Sequence, residues 1–150
     1  MLNINNNKFN IDVQTRQTIF FVEEKETIQF SIGIAYLDGY YNKEEVSPSI
    51  NLNTIITSAK NIEDLIGFEF FVASIEESDD RQDRFYLFNH EPFVSLHLKI
   101  QDIKNNFVTI SCRGEAILDG YENPYVTAKF ELKEKLPLIK ANTDWEKFNR

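Results

Sequence analysis

The chain has few of the residues on which disulfide frameworks, metal sites and nucleophilic enzymes are built. Its 150 residues include one cysteine, Cys112, and two histidines, His90 and His97. A lone cysteine cannot form an internal disulfide and favours a reducing compartment, so we expect a cytoplasmic protein. Two histidines without a third ligand at suitable spacing predict no metal and no cofactor. Nucleophile-elbow, phosphate-loop and dinucleotide motifs are also absent from the sequence, and we therefore expect no enzyme.

Long apolar runs and positive charge are scarce as well. No segment approaches the roughly 18 apolar residues of a membrane span, and the first residues lack the apolar core of a signal peptide. The formal net charge is −8, which repels phosphate backbones and anionic membrane surfaces and so argues against nucleic-acid and membrane partners. The same charge serves solubility in any small protein, but it also suits a basic protein partner. The abundance of Ile, Asn and Lys is typical of an AT-rich bacterial genome.

Proline and glycine, at four and five residues, are too few to form an interdomain linker. The length predicts one domain over residues 1–150. Two halves of about 75 residues would each have a marginal core.

What the sequence has in plenty is alternation with a period of two. Ile28, Phe30, Ile32 and Ile34 alternate with polar or small residues, which is typical of a half-buried strand. Residues 94–100 and 108–112 alternate in the same way, with a tight Asn105-Asn106 turn expected between them. We predict a mainly β fold, with α+β as the alternative: an antiparallel β-sandwich or strongly curved sheet of about nine strands. One or two short helices are expected, over residues 61–66 before Gly67 and over residues 143–148.

A ten-residue segment occurs twice. Residues 33–42 and 114–123 share the pattern G-x-A-x-L-D-G-Y-x-N. Duplication would produce this pattern, and so would shared turn chemistry, because Asp-Gly favours tight turns. The flanking strands are out of phase by one residue, and a β-bulge could restore the phase. Both interpretations predict strand-to-strand turns at Asp38-Gly39 and Asp119-Gly120.

Two features are candidates for partner binding. Residues 76–84 form an acidic segment that is either a solvated loop or a surface that attracts a basic partner. Tyrosines beside the two Asp-Gly turns either pack over the sheet ends or anchor an interface. The candidate partner-binding residues are Glu76, Glu77, Asp79, Asp80, Asp83, Asp38, Tyr40, Tyr41, Asp119, Tyr121 and Tyr125.

These observations favour a non-enzymatic, acidic protein-interaction module. In size, acidity and lack of a catalytic set, the chain is similar to immunity proteins that neutralise basic toxins in bacterial competition. This similarity is one of overall profile, and no motif carries it. One alternative is a β-sandwich that binds a carbohydrate or another small molecule at the Asp-Gly-Tyr turns. Another is a weak hydrolase that uses a pair of carboxylates.

Overall fold

The alternating pattern folds into strands that make up most of the molecule. The structure is a computed structural model, and it describes residues 1–121 and 126–141. Strands make up 62% of the described residues and helices 8%, and nine strands form one curled, mixed sheet with the shape of a half-barrel. The prediction of a mainly β protein with a strongly curved sheet is confirmed.

Thirteen strands and two short helices are present in the described residues. The strands are β1 (Leu2–Ile4), β2 (Asn7–Phe9), β3 (Ile19–Glu24), β4 (Ile28–Ala35), β5 (Gly39–Tyr41), β6 (Glu44–Val46), β7 (Ser49–Ile56), β8 (Glu69–Val72), β9 (Arg84–Tyr86), β10 (His90–Glu91), β11 (Phe93–Lys104), β12 (Phe107–Asp119) and β13 (Val126–Lys140). The helices are a 3₁₀ helix over Ile62–Leu65 and α1 over Ile75–Arg81. The order across the half-barrel is β10-β9-β7-β4-β3-β13-β12-β11-β8. In addition, β1 pairs with β13 and β2 with β1, while β5 and β6 form a separate hairpin.

Two three-stranded antiparallel meanders follow each other around the half-barrel. Strands β3, β4 and β7 form the first, and β11, β12 and β13 form the second. They meet where Phe20–Val22 of β3 pairs in parallel with Leu138–Lys140 of β13. The two copies of the repeated segment begin in β4 and β12, which are the middle strands of their meanders.

The phase difference between the two copies has a structural cause. Ile34 pairs with Ile50 in the first meander, and Gly114 pairs with Phe130 in the second, so both partners stand 80 residues apart. The Asp-Gly motifs stand 81 residues apart. The register of β12 against β13 shifts just before Asp119, and such an irregularity accommodates the extra residue. The architecture therefore repeats, as the duplication interpretation requires.

The core fills the concave side of the sheet. Buried apolar residues from both meanders belong to a single cluster. Phe85 of β9, Phe93 of β11 and Phe130 of β13 meet there, with ring centroids 5.7–6.0 Å apart. These rings connect the two edges of the half-barrel with its middle, so packing across the concave side holds the curled sheet together.

Of the predictions for individual turns and helices, some are confirmed and one is wrong. Asn105 and Asn106 adopt positive φ values of 55° and 63° between β11 and β12, which confirms the tight turn. The 3₁₀ helix ends before Gly67, whose φ is 89°, as predicted. Residues 76–81 of the acidic segment belong to a helix, α1, where the sequence suggested a loop. The helix predicted over residues 143–148 lies outside the described residues.

No helix within residues 1–121 and 126–141 is both long enough and apolar enough to cross a membrane.

Candidate functional site: the Asp-Gly rim

Strand direction brings three candidate segments to one rim of the half-barrel. Because β3 and β13 are parallel and their meanders are antiparallel, β4 and β12 run in the same direction. Strand β8 is antiparallel to β11 and therefore also runs with β12. The carboxyl ends of β4, β8 and β12 consequently lie at the same rim. Asp38 follows β4, α1 follows β8 and Asp119 ends β12, so we name this edge the Asp-Gly rim.

Residues 88–93 contact all three segments at this rim. The ring of Phe88 packs edge-on against Tyr41, with centroids 6.2 Å apart. The backbone N–H of Phe93 donates to Ser78 Oγ of α1 at 2.9 Å. The carboxylate of Glu91 lies against Gly120, the residue after β12. The three segments are therefore parts of one surface.

The first segment carries the hairpin formed by β5 and β6. Its tight turn lies at Asn42 and Lys43, which have positive φ, and Asp38-Gly39 is the extended entry to the hairpin. The sequence-based prediction placed the turn itself at Asp38-Gly39 and is wrong on this point. Tyr41 is buried, with its hydroxyl accepting from Asn5 Nδ2 at 3.1 Å.

Two candidate residues of this hairpin reach solvent. Tyr40 is 64% exposed, and its hydroxyl donates to Glu45 Oε2 at 3.3 Å. Asp38 is exposed and accepts a hydrogen bond from Ser47 Oγ. The hairpin and the residue before it therefore expose Tyr40, Asp38 and Glu45 to solvent. Tyr41 packs the hairpin against the core.

The second segment presents the equivalent pair. Asp119 Oδ1 accepts from the backbone N–H of Tyr121 at 2.9 Å, which forms a local turn. Tyr121 is 86% exposed. Tyr125 lies outside the described residues. Both Asp38 with Tyr40 and Asp119 with Tyr121 are thus accessible at the Asp-Gly rim.

The repeated glycines are required by close approach. A Cβ at Gly39 would lie 2.8 Å from the ring of Phe9, and a Cβ at Gly120 would lie 2.6 Å from Glu91 Oε2. Neither glycine has the positive φ that turn chemistry would require. The Asp-Gly match therefore reflects packing at the rim more than turn type.

The predicted acidic residues of α1 divide by role. Glu76 and Asp80 are exposed and have no hydrogen bond or ion pair within the described part of the chain. Glu77 Oε2 accepts from the backbone N–H of Ala73 at 3.0 Å and so helps to cap the helix. Asp79 pairs with Arg84 at 3.0 Å. Glu76 and Asp80 are the carboxylates that remain free for a partner.

Asp83 has an internal role. Its side chain is fully buried, and Oδ2 lies 2.8 Å from Nε of Arg81. Its Oδ1 accepts from the backbone N–H of Asn53 in β7 at 2.8 Å. Asp83 was a candidate partner-binding residue, but its carboxylate is enclosed by its own chain and cannot reach a partner.

Cys112, His90 and His97 are the side chains on which nucleophilic or metal chemistry would depend. Cys112 is buried, and burial raises the pKa of its thiol to about 12, which disfavours the thiolate form that a nucleophile needs. Within the two described ranges, no three His, Cys, Asp or Glu side chains are grouped as metal ligands. His97 Nε2 lies 2.8 Å from Glu69 Oε1, and the ring of His90 packs beside Tyr86.

The sequence analysis did not identify the buried carboxylate of Glu134. Glu134 lies on the concave face of β13, and Oε1 is 2.6 Å from the terminal nitrogen of Met1. Among the described residues, the buried hydroxyl of Tyr36 makes no hydrogen bond of ordinary geometry, although the carboxylate of Glu134 is close enough to act on it. Burial, and then the charge of Glu134, raise the pKa of Tyr36. Period-two alternation through Leu132 and Leu136 was a signal that could have placed Glu134 in the core.

Comparisons with protein-family models, with curated proteins and with solved structures find no match for this chain.

Proposed function

We propose that the chain is a non-enzymatic interaction protein that binds a basic protein partner at the Asp-Gly rim. The observation that carries the proposal is the common direction of β4, β8 and β12, which places three acidic or tyrosine-bearing segments at one rim. Neutralisation of a basic toxin, as immunity proteins do, is the biological role that this chemistry suits.

The chemistry of the rim suits such a partner in two ways. Tyr40 and Tyr121 each offer a large, rigid ring with a hydroxyl, and side chains of this kind dominate interface energies. Glu76 and Asp80 add negative charge that no neighbour among the described residues neutralises. Such charge attracts a basic partner over a distance and raises the association rate.

The test uses a partner captured from an extract of the native host and then purified. We expect its isoelectric point to be above about 9, typical of strongly basic proteins. The double variant Glu76→Gln/Asp80→Asn should associate about threefold to tenfold more slowly at low salt, with a weaker dependence on salt. Tyr40→Ala with Tyr121→Ala should weaken binding by about thirtyfold or more, as loss of an interface hot spot does.

A matched control comes from the opposite rim. Glu24, the last residue of β3, and Glu26, in the connection to β4, are both exposed there. Glu24→Gln/Glu26→Gln changes the net charge by the same amount and should leave association nearly unchanged. If both double variants slow association equally, the effect is one of overall charge and the rim is not the binding surface. If the captured partner is acidic, the proposed function is wrong.

A further inference from the structure

A groove of about 730 Å³ crosses the exposed face of the sheet, opposite the core. One row of directly paired residues runs along it, from Asn3 of β1 through Glu131, Arg113 and His97 to Phe71 of β8. Five neighbouring strands at about 4.8 Å spacing give this row a length of about 19 Å. The volume lies in the range of about 300–1,000 Å³ that is typical of ligand sites.

The groove is charge-balanced and its charges are not paired. Arg113 faces Glu131, and Lys129 faces Glu115, across β12 and β13. Opposite charges directly across two strands are close enough to form ion pairs. Neither pair comes within ion-pair distance in the described residues. Four charged side chains therefore point donors and acceptors into the groove without satisfying one another.

An aromatic platform stands at one end of the groove. Phe71 is 58% exposed and stacks on His97, with ring centroids 4.2 Å apart and planes 12° apart. Glu69 holds His97 in place through its Nε2 contact at 2.8 Å. A fixed, exposed ring with an electron-rich face is a surface on which C–H groups of a ligand can pack. At the other end, Asn5 and Asn6 lie in the turn between β1 and β2 and line the groove.

We propose that this groove binds a neutral, linear oligosaccharide. An anionic ligand would meet Glu115 and Glu131, and a cationic one would meet Arg113 and Lys129. A neutral chain of sugar rings carries hydroxyls that both donate and accept, so each of these groups gains a hydrogen bond. The C–H face of a terminal ring packs on Phe71. The proposal concerns a different face from the Asp-Gly rim and does not depend on the function proposed for it.

The test titrates isotopically labelled protein with linear gluco-, xylo-, manno- and chito-oligosaccharides up to millimolar concentration, followed by amide NMR shifts. At least one should shift amides of residues 95–97, 113–115 and 129–131. Phe71→Ala and Arg113→Ala should each weaken binding at least tenfold. The controls are Phe107→Ala, which removes another exposed ring, and Lys133→Ala, which removes a charge of the same face outside the groove.

Because no net charge is neutralised, the affinity should change less than about twofold between low and moderate salt. The absence of groove shifts with every neutral oligosaccharide would overturn the proposal. So would binding that Phe71→Ala and Arg113→Ala leave intact. Preferential, salt-sensitive binding of an anionic oligosaccharide or of a charged peptide would also overturn it, because the groove would then select for charge. Glu76→Gln/Asp80→Asn should leave sugar binding unchanged, which separates the two proposals.

Discussion

At the scale of single residues, the ion pair of the buried Asp83 with the partly buried Arg81 completes the edge of strand β7. Strand β9 covers only the first part of that edge, over Ser49–Asn51. Beyond it, Arg81 donates to the carbonyls of Asn53 at 2.8 Å and Thr54 at 3.2 Å, and Asp83 accepts from the N–H of Asn53. The two side chains thus satisfy backbone groups that a neighbouring strand would otherwise bind.

This role predicts that Asp83→Asn is strongly destabilising. The substitution leaves the guanidinium of Arg81 partly buried beside a neutral group, and breaking such a pair costs about 3 kcal/mol. Denaturant unfolding would show this as a lower midpoint. Asp80→Asn, three residues away and exposed, should change the free energy of unfolding by no more than about 0.5 kcal/mol. Equal stability of the two variants would show that the Asp83 contacts do not hold this edge.

Sequence alone could not separate Asp83 from its acidic neighbours. Asp83 is buried because it binds the edge of β7 just beyond the residues that pair with β9. The position where this pairing ends is set by the tertiary structure and has no local sequence signal. Glu134 differs, because strict alternation along β13 points it inward with Leu132 and Leu136. The sequence also could not predict that Tyr40 is exposed and Tyr41 is buried. Neighbouring residues of a strand point to opposite faces, and only the fold determines which face packs on the core.

At the scale of elements, α1 shows why a charged helix is hard to recognise. Its sequence has no apolar periodicity, and its buried residue is the polar Ser78, whose Oγ accepts from the backbone N–H of Phe93. The signal that was present is the Ser-x-x-Glu pattern of Ser74 and Glu77, whose side chains accept from the backbone N–H groups of Glu77 and Ala73. By contrast, β12 continues past Cys112 to Asp119, and the alternation along it is lost at the register shift near its end.

The cap predicts a specific cost for Ser74→Ala. The Oγ of Ser74 accepts from the backbone N–H of Glu77 at 3.1 Å, and loss of such a cap destabilises a protein by about 1 kcal/mol. Ser58→Ala is the matched control, because Ser58 is exposed and its side chain has no hydrogen bond within the described part of the chain. Urea unfolding of both variants measures the difference. A Ser74→Ala protein as stable as Ser58→Ala would mean that α1 does not depend on its cap.

At the scale of the whole molecule, the repeat in the sequence corresponds to a repeat in strand topology. Two meanders of equal order lie side by side, and the shift of register in β12 explains why the sequence copies disagree in phase. The strands themselves could be predicted from alternation. The parallel pairing of β3 with β13 could not, because it depends on residues far apart in sequence that carry no local signal. That pairing is what brings both Asp-Gly segments to one rim.

The parallel junction between β3 and β13 is short, with three paired positions in each strand. The two meanders are therefore held together mainly by packing in the shared core. Phe130 is 3% exposed, and its ring lies 5.8 Å from Phe85 and 5.7 Å from Phe93. Phe130→Ala should therefore cost about 4 kcal/mol, through lost burial and the cavity left behind. Because one cluster of buried residues spans both meanders, the loss should be felt equally on both sides of the junction.

Hydrogen exchange measures this distribution directly. In Phe130→Ala, the slowest amides of β4 and of β12 should lose protection by the same free energy, since both exchange through one global unfolding. Phe107→Ala removes a ring that is 44% exposed and should lower protection by about 1 kcal/mol or less. Loss of protection confined to β11, β12 and β13 would show that the second meander unfolds by itself. The chain would then consist of two cooperative units, against the single domain that its length predicts.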